Sequence, residues 1–168
     1  MAKPLPLSAA MPFRPVLLPP QVPGALWLDA MPGRFGAWSA FQAQARRHQL
    51  AEVVCLTPLA ELAELSPAYH TAVSAGELPF RWRHLPMRNF GVPEDAPAFR
   101  QQVLQIAGTL RSGEAILLHC AAGIGRTGAT AACVLKALGL PADQALEHVR
   151  EAGSNPENAR QSGLVDWF

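Results

Sequence analysis

The ten residues His119-Cys120-Ala121-Ala122-Gly123-Ile124-Gly125-Arg126-Thr127-Gly128 carry the densest chemistry of the chain. A cysteine is followed by five small or apolar residues, then by an arginine, a hydroxyl residue and a glycine. The apolar run Ala115-Ile116-Leu117-Leu118 leads in, and a helix-compatible run, Ala129 to Leu138, leads out. The order is strand, tight loop, helix, and a loop at a helix N-terminus offers unpaired backbone N–H groups to an anion. The glycines let those groups converge on one point. Cys120, at the start of the loop, sits in a positive field that favours the thiolate, its nucleophilic form. Arg126 closes the far side with a planar fork matched to two phosphate oxygens. Nucleophile, oxyanion cradle and charge clamp fall within seven residues. That combination suits attack on phosphorus.

These residues resemble the C-x5-R-[ST] signature of the cysteine-based protein tyrosine phosphatases, in its fuller form H-C-x-x-G-x-x-R-T-G. A competing motif overlaps it, because Gly123-Ile-Gly125-Arg-Thr-Gly128 also reads as G-x-G-x-x-G, a dinucleotide fingerprint. That motif requires a second strand and an acidic residue about 20 positions on. Glu147 stands at that distance, but Ala142 to Arg150 reads as helix, and only 40 residues follow Gly128. The dinucleotide reading is set aside. Sulfur transfer by a rhodanese-like loop shares a cysteine at a strand end, but does not require Arg-Thr-Gly at this spacing.

The resemblance implies a set of roles. Cys120 would be the nucleophile, forming a phosphocysteine that water then hydrolyses. Arg126 and the backbone N–H groups of Ala121, Ala122, Gly123, Ile124, Gly125 and Arg126 would hold the transition-state oxygens. Thr127 would hydrogen-bond the departing thiolate. His119 would brace the loop and help keep Cys120 ionised, although a satisfied histidine at a strand end accounts for it equally. The family takes its leaving-group proton from an aspartate about 30 residues before the cysteine. Asn89, in Leu85-Pro86-Met87-Arg88-Asn89-Phe90-Gly91-Val92-Pro93-Glu94-Asp95, stands where that aspartate belongs. An amide cannot supply a titratable proton. Three readings stay open: Asp95 or Glu94 is the acid; the substrate has a good leaving group or its own acid; or the chain binds phosphorylated partners with little turnover. Acidic residues also favour a helix's first turn, which explains Asp95 and Glu94 without catalysis. Asn155 and Gln161 match a family segment in which an asparagine supports the loop and a glutamine positions water. Helix capping explains Asn155 as well. Cys55 matches a second cysteine that relatives place beside the nucleophile, able to form a reversible disulfide with it. A buried structural thiol is the alternative, and Cys133 reads as core packing.

The rest of the chain must position these groups. At 168 residues, 49% hydrophobic and 16% charged, it is large enough for one packed domain. A net charge of +1 gives no argument for nucleic acid. No apolar run is long enough for a membrane span, and prolines break the N-terminal apolar stretch, against a signal peptide. Three cysteines suit a reducing compartment, so the cytoplasm is expected. Residues 1–23 form a proline-rich extended segment, packed along the domain or loose, before a phosphatase-like domain over 24–168. Strand patterns at 25–28, 52–56, 80–85 and 115–118 alternate with helical ones at 35–48, after Pro58, 94–110, 129–138, 141–150 and 157–168. This predicts an α/β three-layer sandwich with a central, mostly parallel sheet, and it resembles the compact dual-specificity phosphatase fold.

The variable loop positions Ala121, Ala122 and Ile124 carry no lysine, unlike many inositol-phosphate members of the superfamily. The expected substrate is a phosphorylated protein or peptide, with phosphotyrosine favoured and phosphoserine or phosphothreonine open. Arg81, Arg83, His84 and Arg88 either line the pocket or form an exposed strand face. No cofactor is implied, and the five histidines show no ligand spacing for a metal.

Overall fold

The computed structural model describes residues 12–168. Its five-stranded sheet has the order β1-β2-β5-β3-β4, built from β1 (Arg14–Val16), β2 (Ala25–Asp29), β3 (Leu50–Cys55), β4 (Arg81–His84) and β5 (Ala115–His119). The last four are parallel, and β1 pairs antiparallel with β2. Between them run α1 (Trp38–Arg47), α2 (Leu59–Leu65), α3 (Pro67–Ala75), α4 (Ala96–Arg111), α5 (Gly125–Ala137), α6 (Ala142–Glu151) and α7 (Ala159–Trp167).

Alternation along the strands sends side chains to two cores. Leu26, Leu28, Val54, Ile116 and Leu118 meet Phe99, Val103, Ile106 and Leu110 of α4, together with the buried faces of α5, α6 and α7. On the other face, Val53 and Leu117 meet Phe41 and Ala45 of α1. Cys55 packs there with Leu62 of α2 and Tyr69 of α3. This is the sandwich predicted from the alternating pattern.

Three details differ from the sequence reading. The helix after Pro58 is two helices, broken where Ser66 turns its hydroxyl to Pro32 O at 2.7 Å and Pro67 opens the next. The last helix starts at Ala159, because the Asn158 side chain accepts from Gln161 N–H and acts as N-cap. Within the proline-rich segment, residues 14–16 add an edge strand, and Phe13, Val16 and Val22 are buried. Residues 1–11 of that segment lie outside the described residues.

Because β2, β5, β3 and β4 are parallel, their C-terminal ends share one edge, and the loops leaving them gather there. In open α/β sheets this is the edge at which ligands bind.

Candidate active site

The loop after β5 is the centre of that edge. Cys120 follows the last strand residue and is buried. The chain then curls through Gly123 at φ +76 and enters α5 at Gly125. A Cβ on Gly123 would lie 2.4 Å from Asp29 O and 2.7 Å from Ala30 N, so the position demands glycine on two counts. The curl aims the Gly123 N–H at Cys120 Sγ, 3.2 Å away. Among the described residues, the N–H groups of Ala121, Ala122, Ile124, Gly125 and Arg126 donate to no other group. Ala122 and Ile124 are exposed, so this ring of unpaired N–H groups around a sulfur opens to solvent, a ready oxyanion cradle.

Arg126 is only 3% exposed. Its Nη1 and Nη2 donate to Glu61 Oε2 and Oε1 at 2.9 and 2.8 Å, and Nη1 also donates to Met87 O at 2.9 Å. Burial alone would push this guanidinium's pKa down, but the Glu61 pair and the nearby Cys120 outweigh it and the net shift is upward. Glu61 was absent from the sequence reading. An acidic residue in the first turn of a helix is common, so nothing in its local context separates it from other surface glutamates. Only the tertiary approach of α2 to α5 reveals its role.

His119 is fully buried behind the cradle. Trp82 Nε1 donates to Tyr69 Oη at 2.8 Å, which leaves the Tyr69 proton for His119 Nε2, also at 2.8 Å. His119 Nδ1 then donates to Cys120 O at 3.1 Å. Burial pushes the imidazole pKa down to about 4, so the ring is neutral. The histidine braces the loop through the Cys120 carbonyl, with no bond to the sulfur. The Thr127 hydroxyl is buried and has no hydrogen-bond partner among the described residues.

Asn155 supports the loop through its main chain: its N–H donates to Ile124 O at 3.2 Å, and its backbone would meet a Cβ on Gly128 at 2.6 Å. Its side-chain oxygen instead accepts from Arg150 Nε. Gln161 is buried and bridges Glu157 N–H and Gly91 O, with Oε1 beside Gly125. Asn158 Nδ2 donates to Phe90 O at 2.8 Å, so the α7 N-cap and Gln161 of α7 together hold the 85–95 loop.

That loop carries the residues at which an acid was sought. Asn89 is exposed in a turn. Asp95 is the N-cap of α4, its Oδ1 accepting from Ala98 N–H at 3.0 Å. Both line a cavity of about 1220 Å³, together with His84, Arg88, Phe90 and Arg160. Arg81 and Arg83 do not line it. They pair with buried Glu52 (Arg83 Nε to Oε1 at 2.5 Å), with Glu114 and with Gln102 and Gln105, and so brace the edge strand.

Cys55 stands in register with His119, beside the nucleophile's strand. It is a free thiol next to Thr57, with Sγ to Oγ1 at 3.2 Å, and burial pushes its pKa up to about 11. Cys133 is buried in α5, and its thiol is pushed up to about 12. No cluster of three or more His, Cys, Asp or Glu side chains fit for a metal occurs among the described residues.

The family model described as Swiss Army Knife protein, DSP-PTPase phosphatase domain (PTP-SAK) matches residues 27–162. No curated protein sequence matches the chain. Among solved structures, kinase associated phosphatase with its catalytic cysteine replaced by serine is 17% identical, with a TM-score of 0.80 over 94% of this chain and 93% of that one. The human tyrosine phosphatase-like serine/threonine/tyrosine-interacting protein is 23% identical, with a TM-score of 0.66 over 88% and 91%. PTPMT1 is 18% identical, with a TM-score of 0.65 over 85% and 88%. At these identities the likeness is one of fold.

Proposed function

The chain belongs to the dual-specificity-type phosphatase domain family, and from that premise we propose that it hydrolyses aryl phosphate monoesters, phosphotyrosine on protein or peptide in the first place. The observation that carries this reading is a set of exposed apolar side chains on the segments that leave the C-terminal edge of the sheet. Four of the seven large apolar side chains exposed among the described residues are Phe35, Leu59, Phe90 and Ile124. They come from the segments that follow β2, β3, β4 and β5 respectively, all at the edge that holds the cradle. Phe90 is held at φ +60, a costly conformation for an aromatic residue. Strain of this kind concentrates at functional positions. An aromatic leaving group gains from apolar side chains at this edge, and the methylene of phosphoserine does not.

The chemistry agrees. The Cys120 thiolate attacks phosphorus, the S–P bond forms and the P–O bond to the leaving group breaks. The cradle N–H groups and Arg126 carry the charge on the three equatorial oxygens. Water then attacks the phosphocysteine, the S–P bond breaks and inorganic phosphate leaves, with the Thr127 hydroxyl donating to the restored thiolate; Gln161 would orient the water only by giving up its bond to Glu157 N–H or Gly91 O. The leaving oxygen needs a proton, and Asn89 cannot give one. Asp95 is engaged as an acceptor in a helix cap, so acid duty would break the cap. A phenolate, whose conjugate acid has a pKa of about 10, leaves far more readily unaided than an alkoxide. Weak acid assistance therefore selects aryl esters. A reduced thiol is required throughout, which fits a cytoplasmic setting. Cys55, in register beside the nucleophile, is the residue through which reversible disulfide protection would act.

Turnover of a phosphotyrosine peptide and the matched phosphoserine peptide, against pH, tests this. We expect phosphotyrosine to win by about 100-fold or more, the scale of a general acid's contribution. Asn89→Asp should narrow the gap, and Asp95→Asn, which keeps a capping oxygen, should leave rates within about threefold. Equal rates on both peptides, or loss of activity in Asp95→Asn, would contradict the reading. Asn89 also favours a second reading, capture of phosphorylated partners without turnover. Tight phosphotyrosine binding with turnover only in Asn89→Asp would select it.

A further inference from the structure

We propose that Arg14, on the antiparallel edge strand β1, is a positioning residue of the phosphate cradle. Together with Ser154 it fixes the peptide plane between Gly123 and Ile124, so that the Ile124 N–H faces the bound oxyanion. The inference rests on the phosphatase reading of the same site.

Arg14 Nη2 donates to Gly123 O at 2.5 Å, and Ser154 Oγ donates to the same oxygen at 2.6 Å. Arg14 Nη1 donates to Ser154 Oγ at 2.9 Å and to Ala152 O at 2.7 Å, so the two donors are themselves joined. Ser154 is 2% exposed. A peptide unit is planar and trans, so its C=O and N–H point in opposite directions. Drawing the Gly123 carbonyl outward toward β1 and the α6 C-terminus turns the Ile124 N–H the other way. The neighbouring Gly123 N–H already points at Cys120 Sγ on that inner side. The Ile124 N–H has no acceptor among the described residues, as a donor reserved for a ligand would have none.

The arrangement answers a specific need. Gly123 has no Cβ to restrict its backbone, so its own sterics do not fix the following peptide plane. Two converging donors, one of them permanently charged, hold the plane against a flip. Burial lowers the Arg14 pKa, and Asp29 and Cys120 oppose that shift, so the guanidinium lies within electrostatic reach of both. Arg14 precedes the span matched by the family model, 27–162, so its half of the clamp comes from a strand outside the matched domain, while Ser154 lies within it.

The test uses the full chain, with p-nitrophenyl phosphate as substrate and orthovanadate as oxyanion probe. The variants are Arg14→Met, Arg14→Lys, Ser154→Ala and the Arg14→Met/Ser154→Ala pair. Arg14→Met should lower kcat/KM and weaken orthovanadate inhibition in parallel, each by about 10- to 100-fold, short of deleting an oxyanion donor outright. Arg14→Lys should recover part of both. The double variant should lose less than the product of the single losses, because both groups act on one carbonyl. The Ile124 amide resonance should shift on adding orthovanadate to wild type, and shift less in Arg14→Met. If Arg14→Met fails to fold, Arg14→Lys and Ser154→Ala carry the same readouts. A lower Tm with kcat/KM, orthovanadate inhibition and the Ile124 shift unchanged within twofold would overturn the proposal and leave Arg14 a strand anchor. A wild type that neither turns over the substrate nor binds orthovanadate would overturn the phosphatase reading itself, and this inference with it.

Discussion

Glu61 grips both Nη atoms of Arg126 at 2.8 and 2.9 Å, and this ion pair decides where the buried guanidinium charge stands. Arg126 is almost fully buried and Glu61 is 21% exposed, so the pair is partly screened yet far from a free surface bridge. Glu61→Gln keeps the shape but gives up the charge and one oxygen acceptor. We expect a loss of about 1–3 kcal/mol in stability, the cost of unpairing a buried polar group. Turnover should fall about tenfold or more, since the fork loses the grip that orients it. Urea unfolding and kcat/KM on an aryl phosphate measure the two effects, and a variant equal to wild type in both would remove Glu61 from the account. Much of this scale was legible from spacing alone. Cys120 and Arg126 announce themselves because their chemistry is packed into one loop. Glu61, Tyr69, Trp82 and Arg14 do not, because each reaches the loop from another element and carries no local mark of its destination. Asp95 shows the limit of a local reading: its spacing allowed either an acid near the vacant position or a helix start, and in the structure the carboxylate caps α4.

At the scale of elements, the strands and helices followed from apolar periodicity. Buried strands such as β3 and β5 read as continuous apolar runs, and α4 showed its face at Phe99, Val103, Ile106 and Leu110. The break between α2 and α3 was missed because Ser66-Pro67 also suits a continuing amphipathic pattern with a bend. Strand β1 was missed because proline depletes strands in general. An edge strand tolerates it, since Pro15 has no N–H to pair and need not offer one outward. Parallel order then does the functional work. It brings the segments after four strands to one edge, which places the Cys120 loop, the Glu61 helix and the 85–95 loop together. Asn158 and Gln161 tie that last loop to α7, so its geometry depends on a helix some 70 residues later in sequence.

For the molecule as a whole, half-buried Asp29 and buried His119 contribute opposing dependences of stability on pH. Asp29, at the end of β2, has its pKa raised by burial to about 7. A carboxyl raised in the folded state contributes fully below its unfolded pKa, and the contribution is lost as pH rises through the folded value. His119, lowered by burial to about 4, works the other way: its contribution holds above the unfolded value and is lost as pH falls through the folded one. The two oppose each other across the acid range. Asp29→Asn removes the first alone. It should stabilise the protein at pH 8, by no more than about 4 kcal/mol before screening is discounted, with the gain shrinking to nothing near pH 4. Urea unfolding across that range reads it, and a gain independent of pH would show that Asp29 titrates normally.

The claim on which everything else stands is that Cys120 takes the phosphoryl group. Rapid-quench kinetics on an aryl phosphate, followed by intact-protein mass analysis, tests it most directly. The account predicts a burst of released phenol stoichiometric with the chain and a phosphate adduct on Cys120, both absent in Cys120→Ser. Turnover that survives in Cys120→Ser, or an adduct on any other residue, would contradict it.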